Sequence, residues 1–225
     1  MDDGSVTYAV EGSIGTVTKD GLFTATGTPG TKGKLLVNAA GITSEIEIEI
    51  EKEFTDIIGH WAESYVKALY KDGIVSGITE TQFGPDLSMK RCDFVLMLYR
   101  AAGSPSVSEG AGFADVPDSA YYASAVAWAY ANGLAQGLSA DRFGTGDADA
   151  AQCAALVLRS LGYRESEGDF SYATALLTAC RLGLLDSAVQ PDFTRGDLFL
   201  LCLRALTTRV AGEGETSTLV ETLVE

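Results

Sequence analysis

Positive charge is scarce in this sequence. Sixteen lysines and arginines stand against 31 acids, there is one histidine, and the formal net charge is −15. No lysine/arginine block occurs in it. That argues against nucleic acid, whose binding is driven by basic patches on phosphates, and against an anionic membrane surface. No apolar run reaches the length of a membrane span, so no membrane insertion is expected. The N-terminus lacks the charged-then-apolar pattern of a signal peptide; Met1-Asp-Asp reads as the start of an excised fragment, and the compartment is not legible from this end.

Chemistry-bearing strings are also missing. The four cysteines, Cys92, Cys153, Cys180 and Cys202, form no CxxC pair and have no histidine cluster beside them. No metal site is therefore expected. The cysteines read as free thiols packed as small core residues; a disulfide is the alternative if the protein is extracellular, and spacing does not choose the pair. There is no GxGxxG, Walker or HExxH string and no GxSxG nucleophile turn. The single histidine, His60, reads as a helix-start cap, with a sugar contact as the alternative. With 31 acids some carboxylate pairs arise by chance. Neither an enzyme nor a cofactor is expected.

What the sequence does contain is a repeat. Residues 54–102 open with Phe54 and Asp56. They continue with a run over 61–71 whose apolar positions Trp61, Tyr65, Val66, Leu69 and Tyr70 share one helical face. Gly73 stops that run, as a glycine just past a helix end does, and a loop leads to Phe83-Gly84-Pro85 before a second apolar run over 91–101. The opening phenylalanine recurs at Phe113 and Phe170. Each first helix ends in glycine and Ile or Leu (Gly73-Ile74, Gly133-Leu134, Gly183-Leu184), and ten residues after each glycine stands Phe83, Phe143 or Phe193. Each copy closes with an apolar helix. A two-helix unit cannot bury its apolar faces alone, whereas stacked units can.

The pattern resembles three tandem S-layer homology motifs. The resemblance rests on Phe54-Thr-Asp56, His60-Trp61-Ala62, Gly73-Ile74, Phe83-Gly-Pro85 and Arg91 in the first copy. In the second it rests on Phe113-Ala-Asp115-Val116, Tyr121-Tyr122-Ala123 and Gly133-Leu134, and in the third on Gly183-Leu184 and Thr194-Arg195-Gly196-Asp197. It implies a mainly α architecture over 54–102, 113–162 and 169–209: helix-loop-helix repeats in a pseudo-three-fold bundle, with grooves between neighbouring motifs. It also implies a non-catalytic module that anchors a larger secreted protein to a Gram-positive-type cell wall. The partner would be a secondary cell wall polysaccharide, often carrying the carboxylate of a pyruvate ketal. The rival reading is a degenerate scaffold that assembles with other chains without binding polymer.

Residues 1–53 have another texture, rich in Gly, Thr, Val and Ile. Candidate strands lie at 6–10, 14–18, 22–25, 34–39 and 42–50. The last alternates Ile46, Ile48 and Ile50 against Glu45, Glu47, Glu49 and Glu51, the pattern of a half-buried antiparallel strand. Lys19-Asp-Gly-Leu-Phe-Thr-Ala25 with these strands resembles a bacterial Ig-like domain lacking its early strands, a spacer joined to upstream domains of the same protein. Residues 210–225 form a tail in which 218–225 could make a short amphipathic helix.

The family's closing helix usually starts Thr-Arg-Ala-Glu. Thr caps the helix and Glu returns a bond to the cap, while Arg presents a planar fork beside a helix N-terminus that already favours an anion. The first copy keeps Arg91 but has Lys90 at the cap position, so Ser88 is the expected cap. The second keeps a cap pair, Asp149 and Gln152, but has Ala150 in place of Arg. The third keeps Thr194 and Arg195. The resemblance thus implies ligand contact by Arg91 and Arg195 (otherwise exposed helix-end charges) and a weak second groove. It offers Trp61, Tyr121 and Tyr122 as plates against a sugar face, with core packing as the alternative for Trp61. Asp56 and Asp115 would accept sugar hydroxyls, or else hold a turn.

Overall fold

A computed structural model describes residues 6–51, 53–187, 193–208 and 210. The tail helix expected over 218–225 lies outside the described residues. The chain divides into two compact bodies, residues 1–55 with 79–81 and residues 56–78 with 82–225.

The first body is all β. Strands β1 (Val6–Glu11), β4 (Lys32–Ala39) and β5 (Ile42–Glu49) form an antiparallel sheet in the order β1-β4-β5, and β2 (Gly15–Val17) pairs with β3 (Phe23–Ala25) as a hairpin. Val10 opposes Leu35, which opposes Ile46, so the alternating apolar residues do share one face. The expected half-burial holds at Ile48 and Ile50, which are partly covered while Glu45, Glu47, Glu49 and Glu51 are exposed, but not at the start of β5, where Ile46 is 50% exposed and Ile42 73%. The segment joining β1 to β2 packs on that face over Gly33. Ile14 is fully buried, and its side chain lies where a Cβ on Gly33 would stand.

The second body is helical, with α1 (Glu63–Lys71), α2 (Arg91–Ala101), α3 (Ala123–Ala131), α4 (Ala150–Ser160), α5 (Ala175–Arg181) and α6 (Arg195–Leu206). Helices α1, α3 and α5 end alike. Gly73, Gly133 and Gly183 adopt φ of +71°, +68° and +73°. In each case the glycine N–H donates three residues back, and the next residue's N–H donates five back: Ile74 to Leu69 at 2.9 Å, Leu134 to Ala129 at 2.8 Å, Leu184 to Ala179 at 2.9 Å. These are Schellman stops, which only a residue at ease in left-handed backbone makes without strain.

The first helix of one segment packs on the closing helix of another: α1 on α6, α3 on α2, α5 on α4. Phe83, Phe94, Phe143 and Phe199 are fully enclosed, and the Phe83 and Phe199 rings meet edge-on at 5.0 Å. Each such ring contributes roughly 1.5–3 kcal/mol by leaving water. The segments are also joined by backbone bonds. The Arg91 N–H donates to Gly146 and the Ala148 N–H to Met89, both at 2.9 Å; the Arg195 N–H donates to Leu87 and the Gly196 N–H to Pro85, both at 2.8 Å.

Candidate ligand-binding groove

The closing helices begin differently from one another, as their sequences differ. On α6, Thr194 accepts from the Asp197 N–H at 3.4 Å and Asp197 returns a bond to the Thr194 N–H at 2.9 Å, a complete capping box. On α4, Asp149 accepts from the Gln152 N–H at 2.7 Å, but Gln152 Oε1 is buried without a partner, so only half of the expected box forms. On α2, Lys90 gives no side-chain cap. Ser88, the expected substitute, instead donates to Asp147 at 3.0 Å. The reason is the bridge between Lys90 and Asp147, which holds this stretch extended beside the entry to α4.

The two helix-start arginines take similar positions on neighbouring segments. Arg91 stacks on Phe143 with its guanidinium 4.2 Å from the ring centre and donates to the carbonyls of Phe143 and Gln136. Only 6% exposed, it does not present its fork to solvent, which corrects the expectation that Arg91 faces a ligand. Arg195 lies 5.2 Å from the Phe83 ring centre and 5.4 Å from that of Phe199, and donates to Ser76 at 3.2 Å. Burial pushes both guanidinium groups below their ordinary values. Asp93 and Asp56 oppose that at Arg195. Arginine remains charged throughout.

Asp56 accepts from the N–H groups of Phe83 (2.8 Å) and Gly84 (2.7 Å). Asp115 accepts from those of Phe143 and Gly144, both at 2.8 Å. The turn-holding alternative is thus what the structure displays for both acids, since it aims them at the loop ahead of each closing helix. His60 accepts at Nδ1 from the Ala62 N–H at 3.1 Å, holding the turn ahead of α1, whose own first N–H groups have no side-chain cap, so the expectation that His60 caps the helix is corrected to a bond one step earlier. The aromatic candidates precede their helices instead of opening them. Trp61 is 51% exposed and lies across the start of α6, where a Cβ on Gly196 would come within 3.0 Å of its ring. Tyr121, 68% exposed, meets Tyr122 edge-on at 5.0 Å and donates to Asp93 of α2.

Tyr121 and Arg195 converge on an open groove of about 310 Å³. It is lined by the stretch 74–78 after the first Schellman stop, by Asp93, Met97 and Arg100 of α2 and by Phe199 of α6. Asp56, Trp61, Arg91, Asp115 and Tyr122 do not line it. Desolvation and the bond to Asp93 raise the Tyr121 pKa. Asp93 and Arg100 had not been singled out in the sequence. Asp93 occupies the helix position where Asp197 completes its box; with no cap at Lys90 to answer, its carboxylate turns to Tyr121. Among the described residues no cluster of three or more metal-ligating side chains occurs, and no helix is long and apolar enough to cross a membrane.

Residues 53–95 and 112–148 match the S-layer homology domain. The chain is 33% identical over 152 residues, 64% of its length, to a cell surface protein of Thermoanaerobacter kivui, of which it covers 20%. Over 105 residues, 47% of its length, it is 30% identical to an amylopullulanase of Thermoanaerobacterium thermosulfurigenes, of which it covers 6%. Over 70 residues, 31% of its length, it is 31% identical to a cellulosome-anchoring protein of Acetivibrio thermocellus, of which it covers 16%. The chain therefore spans a fifth or less of the length of these relatives. The matched segments contain Arg91 and both turn-holding acids, and the groove takes residues 74–78 from the first of them, Tyr121 from the second, and Arg195 and Phe199 from beyond both.

Proposed function

We propose that this chain is a non-catalytic anchoring module that attaches a larger protein to the bacterial cell surface by binding wall polysaccharide. The supporting observation is the groove at the first S-layer homology segment. It joins a hydrogen-bonding aromatic (Tyr121), an acceptor (Asp93) and two cations (Arg100, Arg195) with apolar Ile74, Val75 and Ile78, a lining suited to a saccharide with an anionic substituent. In this reading residues 169–209 are a third, divergent motif. The packing of α1 on α6, α3 on α2 and α5 on α4 supports a pseudo-three-fold bundle. The polymer is a secondary cell wall polysaccharide of a Gram-positive-type wall, pyruvylated so that a carboxylate meets arginine. Tyr121 and Arg195 are its contacts, and exposed Trp61 offers a further plate beside Gly196. Residues 1–53 are an Ig-like spacer from upstream domains. The module carries a net charge of −15, so its arginines act within a repulsive field that salt screens.

A scaffold without polymer binding is the second reading. It is favoured by the internal engagement of Arg91 and by Ala150 at the matching position of α4. Sedimentation with peptidoglycan sacculi separates the two. Binding to sacculi that retain their polysaccharide, and not to stripped sacculi, is expected. A folded chain that ignores both overturns anchoring and leaves the scaffold.

A further inference from the structure

Arg100, Arg159 and Arg204 each stand nine residues after the first residue of α2, α4 and α6. Two of the three are engaged within their own segments. Arg159 donates to the Leu134 carbonyl at 3.1 Å and grips the Glu165 carboxylate through Nε and Nη2. Arg204 donates to the Leu184 carbonyl at 3.4 Å and to both oxygens of Asp186 at 3.0 and 3.2 Å. The arrangement is the same: the carbonyl just after a Schellman glycine, and one carboxylate held by the fork. The Arg100 side chain has no hydrogen bond or ion pair among the described residues; it is half-buried and lines the groove.

The sequence explains the difference. Asp186 stands three residues after Gly183, and the residue three after Gly73 is Ser76. Glu165 stands six residues after Arg159, and the residue six after Arg100 is Ser106; the stretch 101–108 contains no acid. The first segment has therefore kept the arginine and lost both sources of its carboxylate. A planar cation matched to a carboxylate faces an open cavity with that place unfilled.

We propose that Arg100 is the anion-recognition residue of this groove, taking from an acidic saccharide the carboxylate that Glu165 and Asp186 supply to its counterparts. This rests on the reading of the groove as a saccharide site and deepens it. It also makes the first segment the one with anion selectivity, since the corresponding arginines of the other two are already neutralised by their own chain.

The test is titration of the full chain with methyl glucopyranoside carrying a 4,6-linked pyruvate ketal, beside the methyl ester of the same compound. The acid is expected to bind about tenfold or more tighter than the ester. Arg100→Gln should lower affinity for the acid to that for the ester and leave the ester unchanged. Ser76→Asp, which imitates Asp186, should do the same in a chain that melts no earlier than the parent. Arg159→Gln should lower the melting temperature and keep the preference. A parent that binds no acid probe at millimolar concentration, or an Arg100→Gln or Ser76→Asp chain that keeps the full preference, overturns the proposal. Sacculi separate it from the anchoring reading. If the parent and Arg100→Gln sediment equally, anchoring stands and the role of Arg100 falls. If the parent ignores sacculi yet shows the Arg100-dependent preference, anchoring falls and the role of Arg100 stands.

Discussion

Tyr121, at the entry to α3, hands its phenolic hydrogen to Asp93 on α2, so one segment supplies the hydroxyl and its neighbour the carboxylate that together form one wall of the groove. Asp93 also contributes to the environment of Arg195, and the bond keeps the phenol protonated.

Desolvation and the Asp93 bond both raise the Tyr121 pKa above its ordinary value. A raised folded-state pKa gives stability that is fully present below the unfolded value of about 10 and is lost as pH rises above it. The melting temperature should thus fall on raising pH above about 10, and less steeply in Tyr121→Phe. The variant should lose about 0.5–1.5 kcal/mol at neutral pH. Thermal melts across an alkaline series check this; equal slopes in the two proteins would contradict it.

Asp115 behaves in the opposite sense. Burial pushes its carboxyl up, but the hydrogen bonds from Gly144 and Phe143 outweigh this together, and the net shift is downward. Its contribution is present above the unfolded value of about 3.9 and is lost as pH falls through the lower folded one. Asp115→Ala should cost about 1.5–3 kcal/mol, the range for hydrogen bonds to a charged group, and should remove part of the acid lability. Denaturant titrations at pH 7 and pH 3 measure both effects.

Arg91→Ala should destabilise the helical body without changing the groove's selectivity. The substitution leaves the Phe143 and Gln136 carbonyls without their donor and uncovers the face of Phe143. A loss of about 2–4 kcal/mol follows from orphaning buried acceptors. Saccharide affinity measured on the folded fraction should match the parent; a specific loss of binding at unchanged stability would return Arg91 to the ligand site.

Burial pushes the thiols up: Cys202 to about 12 and Cys92 to about 11, the latter with help from Asp93. Cys153 is raised strongly and fully buried. All four cysteines are free, and Cys180 is the one that is partly exposed. Because the thiolate is the reactive form, a thiol reagent at pH 8 should label Cys180 first and the other three only on unfolding. Mass spectrometry of timed labelling reads the order.

The sequence announced what depends on local chemistry. The glycines at 73, 133 and 183 marked their stops because left-handed backbone singles glycine out, and Thr194 with Asp197 marked a cap because the bond spans three residues. Contacts between segments left no such mark. Arg91 read as a ligand contact, since nothing local says that Phe143, 52 residues on, lies against it. Ser88 read as a cap until the bridge to Asp147 drew it away. Arg100 looked like any helix-end arginine. The signal that singles it out is the acid missing at Ser76 and over 101–108, legible only after Arg159 and Arg204 are seen to hold theirs.

The pairing of α1 with α6 sets an order of events during synthesis. The Ser76 carbonyl receives its hydrogen bond from Arg195, 119 residues later, and the Pro85 and Leu87 carbonyls receive theirs from Gly196 and Arg195. Closing a loop of that length is entropically slow to reward. As the chain leaves the ribosome, α1 emerges first but has no finished surface to rest on until α6 follows. Until then Phe83 lacks the Phe199 ring that covers it. The groove, with Arg195 in its wall, is consequently incomplete until α6 has emerged.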